Sequence, residues 1–188
     1  MDKGTKTRER ILDVFEEIIL IEGERAATVD GTAAKAGISK GGLRYHFESK
    51  ASMVDGLVDR VERQLAGDHA DILSAPEGAV EYFLRASADP DNALEQSSAA
   101  LLRLYQSGRY PQAHRVLDQV VATWLDALTE RLGDPLIARL VQLVRDGIFY
   151  NSTIAKGSGG IARATLEAHE LNDLITLLHS LKAKTSPR

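Results

Sequence analysis

One stretch, residues 28–50, constrains this chain more than any other: Thr-Val-Asp-Gly-Thr-Ala-Ala-Lys-Ala-Gly-Ile-Ser-Lys-Gly-Gly-Leu-Arg-Tyr-His-Phe-Glu-Ser-Lys. Thr28 suits the N-cap of a short helix, because its hydroxyl accepts a first-turn N–H that has no helical partner. Gly37 suits the end of that helix, since glycine enters the left-handed region at little cost. Ser39 follows within two residues and can cap a second helix. Ala33, Ala34 and Ala36 are small where two helices must approach closely. Helix, tight turn, helix is the pattern of helix-turn-helix DNA readers.

The second helix carries Lys40, Gly41, Gly42, Arg44, Tyr45 and His46, with Lys50 just beyond. These side chains are donors of the kind that phosphates and base edges accept. The two adjacent glycines each cost a helix roughly 1 kcal/mol relative to alanine. A backbone that must come close to another surface, such as the major groove, is one reason to tolerate them. The alternative is an ordinary connection between two core helices.

Charge sharpens the choice. The chain is acidic overall, with a net charge of −4. Yet Lys3, Lys6, Arg8 and Arg10 face only Glu9 in residues 3–10, and Lys40, Arg44 and Lys50 face only Glu48 in residues 39–50. Positive charge is thus concentrated on an N-terminal arm and on the second helix, where a helix-turn-helix meets phosphates. The rest of the composition describes a globular chain: 44% hydrophobic and 27% charged over 188 residues. With no cysteine, disulfides, zinc fingers and thiol catalysis are excluded. Nothing reads as a secretory leader or a membrane span, so a cytoplasmic protein is expected.

Apolar periodicity predicts helices throughout and no strand. Helix 1 is expected over about 5–22, helices 2 and 3 over 28–36 and 39–46, and helix 4 from Ser49 to about residue 66, loosened at Gly67. Further helices are expected from Pro76 to Asp89, over 91–107, through the leucine- and valine-rich run 117–132, from Pro135 past Ile148, and over 162–182. Lys156–Gly160 reads as a glycine-serine loop. Gly157 to Ala162 fits the letters of G-x-G-x-x-A but lacks the strand that a dinucleotide fold requires. His169 and Asp173 are a near miss for a zinc motif, and the other histidines are scattered. No catalytic signature, metal site or cofactor site is found, so the chain is expected not to be an enzyme.

Residues 5–66 resemble the N-terminal domain of tetracycline-repressor (TetR) family regulators. The resemblance rests on Thr7-Arg8-Glu9-Arg10-Ile11-Leu12, Thr28-Val29, Ala33, Ala36 to Gly41, Leu43, Tyr45-His46-Phe47 and Ser49-Lys50. It implies an all-α protein with a helix-turn-helix domain over 1–50, a connecting helix 4 over about 50–66, and a helical ligand-binding and dimerisation domain over 51–188. It implies double-stranded DNA as partner, met by Ser39, Lys40, Gly41, Gly42, Arg44, Tyr45 and His46. Thr28 and Lys50 would hold phosphates, with Lys6 and Arg8 on the arm. It also implies a homodimer through the last two long helices and release from a near-palindromic site by a small molecule. Phe83, Tyr105, Trp124 and Phe149 are candidates to line that molecule's cavity, with Asp146 as polar anchor. Because aromatics are only 5% of the chain, the expected effector is apolar. Three positions depart from the family. Thr32 replaces a branched apolar residue, Arg44 replaces a frequent tyrosine, and Gly42 replaces a common threonine. The rival reading is a ligand-blind DNA-binding or interaction module whose second domain only dimerises.

Overall fold

A computed structural model describes residues 3–157 and 166–185. Nine helices and no strand occur among them: α1 (Lys3–Ile21), α2 (Val29–Lys35), α3 (Lys40–His46), α4 (Lys50–Ser74), α5 (Ala79–Ala88), α6 (Ala93–Gln106), α7 (Pro111–Leu132), α8 (Pro135–Gly157) and α9 (Ala168–Thr185). The chain is all-α, as its periodicity predicts. The glycine-serine stretch beyond Gly157, with most of the fingerprint-like run, lies outside the described residues.

The helices gather into two compact units, one of residues 1–63 and 96–118 and the other of residues 64–95 and 119–188. The sequence reading divides the chain once, near residue 50. The compact units divide it three times, because α4, α6 and α7 each contribute to both. Helix α4 also runs unbroken through Gly67 to Ser74, past its expected loosening. Ile72 is fully buried and Asp68 is hydrogen-bonded by two side chains of its unit, and such anchoring outweighs the roughly 1 kcal/mol that glycine costs a helix.

In the first unit, Ile11, Leu12, Phe15 and Ile19 form the buried stripe of α1 at three- and four-residue steps. Leu43 of α3 and Met53, Leu57 and Val61 of α4 are buried in the same unit. Phe47, just after α3, is buried with them, and the Arg8 guanidinium lies 4.8 Å above its ring. In the second unit, α5 packs on α8 and α9, and its buried face is Val80, Phe83, Leu84 and Ser87. Trp124 meets Phe83 edge to face at 5.4 Å.

Candidate functional site

The helix-turn-helix is built by its caps. Thr28 has an extended backbone, and its hydroxyl accepts the Gly31 N–H at 3.0 Å. Gly37 sits at φ +66°, and the Gly37 and Ile38 amides donate to the carbonyls of Ala34 and Ala33. That paired arrangement closes the end of α2 and turns the chain into α3. Ser39 then caps α3 by accepting the Gly42 N–H at 3.0 Å. Only Leu43 of α3 is buried, so Lys40, Gly41, Gly42, Arg44 and Tyr45 all face outward. Tyr45 is 86% exposed, an unusual position for a ring with so much apolar area, and its ring meets His46 edge-on at 5.1 Å.

The cations of this unit differ in how far they are committed to partners within it. Arg44 and Lys6 are exposed and without an ion-pair partner among the described residues. Lys40 holds Asp30 at 2.8 Å, but both side chains are more than half exposed, and such a pair is weak enough to exchange for a phosphate. Arg8 is partly committed, lying over Phe47 and 3.6 Å from Asp59. Lys50 is spent. Its Nζ donates to Glu24 Oε1 at 2.6 Å and to the Glu24 carbonyl at 2.5 Å, and its side chain is 22% exposed. It ties α4 to the loop after α1, which is not the position of a phosphate clamp.

Glu24 is the hub of that tie, with a side chain only 8% exposed. It also accepts from Arg109 and, at 3.3 Å, from the Tyr110 hydroxyl, both in the α6–α7 turn. Burial pushes its carboxyl up, but the Lys50 hydrogen bond and the Lys50 and Arg109 charges outweigh burial and hold it below the ordinary range. A second network lies deeper. Arg60 of α4 reaches Glu9 at 2.7 Å, Asp13 at 2.8 Å and Glu16 at 3.6 Å. Glu16 accepts the Ser97 hydroxyl of α6 at 2.7 Å. Its desolvation outweighs these partners, so the Glu16 carboxyl is held above its usual range.

The second unit holds a polar cluster among aromatic rings. Arg145 of α8, its side chain 5% exposed, donates to Glu95, to Ser87 Oγ at 3.1 Å and to Asp146 at 3.2 Å. Its guanidinium carbon is 4.0 Å from the centre of the Trp124 ring and 4.7 Å from that of Phe149. The Trp124 indole donates to Asp68 at 2.6 Å, and the Tyr82 hydroxyl donates to the same carboxylate at 3.0 Å. Desolvation raises the carboxyls of both Glu95 and Asp68 above the ordinary range in spite of these bonds. Thus Phe83, Trp124, Phe149 and Asp146 come together in this unit. Tyr105 belongs to the first unit, where it stacks on His114 at 4.9 Å beside a groove of about 400 Å³ lined also by Tyr110, Pro111 and Arg115. No described group of three His, Asp or Glu is placed to hold a metal ion, and no described helix is long and apolar enough to cross a membrane.

No family model matches the chain. The transcriptional repressor BepR of Brucella suis is 27% identical over 150 residues, 77% of this chain and 62% of BepR. The repressor KstR2 of Rhodococcus jostii is 37% identical over 68 residues, 36% of this chain and 33% of KstR2. The chain therefore spans less than two thirds of the length of either relative. Among solved structures, Salmonella enterica GusR superposes with a TM-score of 0.65 at 22% identity, covering 97% of this chain and 98% of GusR. The multidrug-binding protein EbrR, complexed with malachite green, superposes at 0.62 and 22% identity, covering 91% and 96%. The chain has the fold of these solved structures.

Sequence reasoning missed three residues that organise the polar interior of this chain: Glu24, Arg60 and Arg145. For two of them a signal was present. Arg145 lies four residues after Val141 and three before Ile148, and Arg60 three after Leu57, all of these apolar neighbours buried. A charge on a buried helical stripe must find partners. Glu24, in a loop, carries no such periodicity. Thr32, where the sequence departs from the pattern it resembles, has a fully buried side chain whose hydroxyl has no hydrogen-bond partner among the described residues.

Proposed function

We propose that the chain is a DNA-binding transcriptional repressor that acts as a dimer and is released from its operator by a small molecule. The observation that carries the reading is the outward face of α3, where a doubly capped helix-turn-helix presents Arg44, Tyr45 and the bare backbone of Gly41 and Gly42. The names of BepR and KstR2 as repressors support it. Lys6, Thr28, Ser39, Lys40 and His46 complete the DNA face, and Lys50 serves inside the domain instead.

The dimer reading rests on α8. Leu136, Leu143 and Tyr150 recur at seven-residue steps and are 75%, 59% and 59% exposed. Gly147 lies on the same stripe, with open space where its side chain would be. Leu177 of α9 is also exposed. A row of bare apolar side chains with a small residue inside it is suited to a close helix–helix interface. The second unit is the sensor in this reading, as EbrR's description as a multidrug-binding protein suggests by likeness. The expected polar anchor, Asp146, is joined in this unit by the polar cluster around Arg145.

Selection of fragmented genomic DNA on the purified protein, sequenced across a salt series, tests the proposal. A near-palindromic motif retained at physiological salt is the expected result. Recovery of unrelated fragments, lost as salt rises, from protein stripped of small molecules would sink it. The ligand-blind alternative draws on one observation, that Arg145 already occupies the cluster from within. It predicts that no compound alters DNA binding.

A further inference from the structure

Arg145 is placed as a ligand would be. Its planar guanidinium lies against the faces of Trp124 and Phe149, the arrangement that delocalised cations adopt with aromatic rings. Its N–H groups point at Glu95, Ser87 and Asp146. Stability alone is a poor reason for this, because a buried ion pair is often no better than the apolar residues that could replace it.

The charges around it do not balance. Glu95 is buried and Asp68 half-buried, and Arg145 is the cation that acts on both. Asp68 receives only the neutral donors Trp124 and Tyr82, and no described cation pairs with it. The cluster also has an edge. Trp124, Glu95 and Ser87 are buried, whereas Asp68, Tyr82, Phe149 and Asp146 are partly exposed. One N–H of Arg145 already reaches Asp146, whose side chain is 45% exposed, so the guanidinium has a charged partner nearer solvent to which it can retreat.

We propose that the second unit carries a binding site for a planar organic cation, formed by Trp124, Phe149, Glu95 and Asp68 and occupied in the unliganded chain by its own Arg145. The proposal rests on the sensor reading of this unit and narrows it to a class of effector. The cation takes the aromatic faces and the Glu95 carboxylate, and Arg145 turns to Asp146. Because the ligand must displace an internal competitor, a neutral molecule of the same shape gains the stacking and not the charge pairing. An anion meets Glu95 and Asp68 and is repelled.

Trp124 is the single tryptophan of the chain, so its fluorescence reports on this site directly. The 188-residue chain is titrated with phenylguanidinium, with the neutral isostere phenylurea, and with benzoate. Saturable quenching by phenylguanidinium at concentrations at least about ten-fold below those for phenylurea is expected, a gap of one decade in affinity. Arg145→Met, which removes the competitor, is expected to bind phenylguanidinium about ten-fold more tightly than wild type and to gain in melting temperature on its addition but not on that of phenylurea. The double variant Arg145→Met/Glu95→Gln, which removes the buried Glu95 charge together with its partner, should fold and lose this preference. If Arg145→Met does not fold, wild type against Glu95→Gln makes the same comparison.

Saturation by benzoate that disappears in an Arg145 variant would overturn the proposal, since Arg145 would then be an anion receptor. Equal binding of phenylguanidinium and phenylurea would overturn it as well. DNA retention, measured on the same samples, separates the two readings. Cation binding that leaves DNA affinity unchanged keeps the site and defeats the effector role. A cation-insensitive Trp124 in a protein whose operator is released by some other compound defeats the site and keeps the regulator.

Discussion

A single hydroxyl marks the weakest point of the helix-turn-helix interior. Thr32 is enclosed with no acceptor or donor for its Oγ1, and an unsatisfied buried hydroxyl costs about 1–3 kcal/mol. Thr32→Val keeps the shape and removes that cost, so chemical denaturation should show a gain of about 1 kcal/mol or more. At position 44 the measurement is on DNA. If Arg44 reads guanine, Arg44→Ala should cost about 1–3 kcal/mol and relax one base pair of the selected motif, whereas a phosphate contact gives uniform weakening and a shallower salt slope. Lys50 belongs to stability instead. Lys50→Met leaves Glu24 with Arg109 and Tyr110 but removes two charge-assisted bonds, a loss of about 1.5–3 kcal/mol at neutral pH. Because the Glu24 carboxyl is held below its ordinary value of 4.5, its stabilisation is present above that pH and is lost as pH falls through the lower folded value. The gap between wild type and Lys50→Met in thermal melts should therefore narrow below about pH 4.5.

Among the elements, α4 depends on a contact that a sequence pattern does not reveal. A side chain at Gly56 would place its Cβ 2.6 Å from Cε1 of Phe47 and 3.2 Å from the Arg8 guanidinium. The Phe47 ring is buried beneath Arg8, so it must shift within a packed interior. Gly56→Ala should therefore destabilise by about 1–3 kcal/mol through overpacking, against the gain of roughly 1 kcal/mol that alanine brings to an open helical position. A lower denaturation midpoint checks this, and a higher one would show that Phe47 moves freely. Gly41 is the converse case, with open space around it. A loss of DNA affinity in Gly41→Ala without loss of stability would mark close backbone approach to the groove.

For the whole molecule, the proposed dimer is tested at the row Leu136, Leu143 and Tyr150. Leu143→Glu places a charge in the middle of that row, so sedimentation should show a dimer for the wild-type chain and a monomer for the variant. Operator affinity should fall far more than the stability of either unit, because two linked readers multiply weak individual contacts. A Leu143→Glu protein that remains dimeric would place the interface elsewhere.

Local chemistry made the helix-turn-helix legible from residues alone. Thr28, Gly37 and Ser39 act on backbone groups within a few positions of themselves, so their order in the chain already states the geometry. The apolar periods of α1, α7 and α8 were legible for the same reason. What the tertiary structure decided is which charges meet. The joining of Lys50 and Arg109 on Glu24, of Arg60 with Glu9, Asp13 and Glu16, and of Arg145 with Glu95 and two aromatic faces depends on contacts between residues as many as 85 positions apart. Such pairings leave no period in a sequence. They are set by which stripes are buried together, and burial then compels each charge to find its partner.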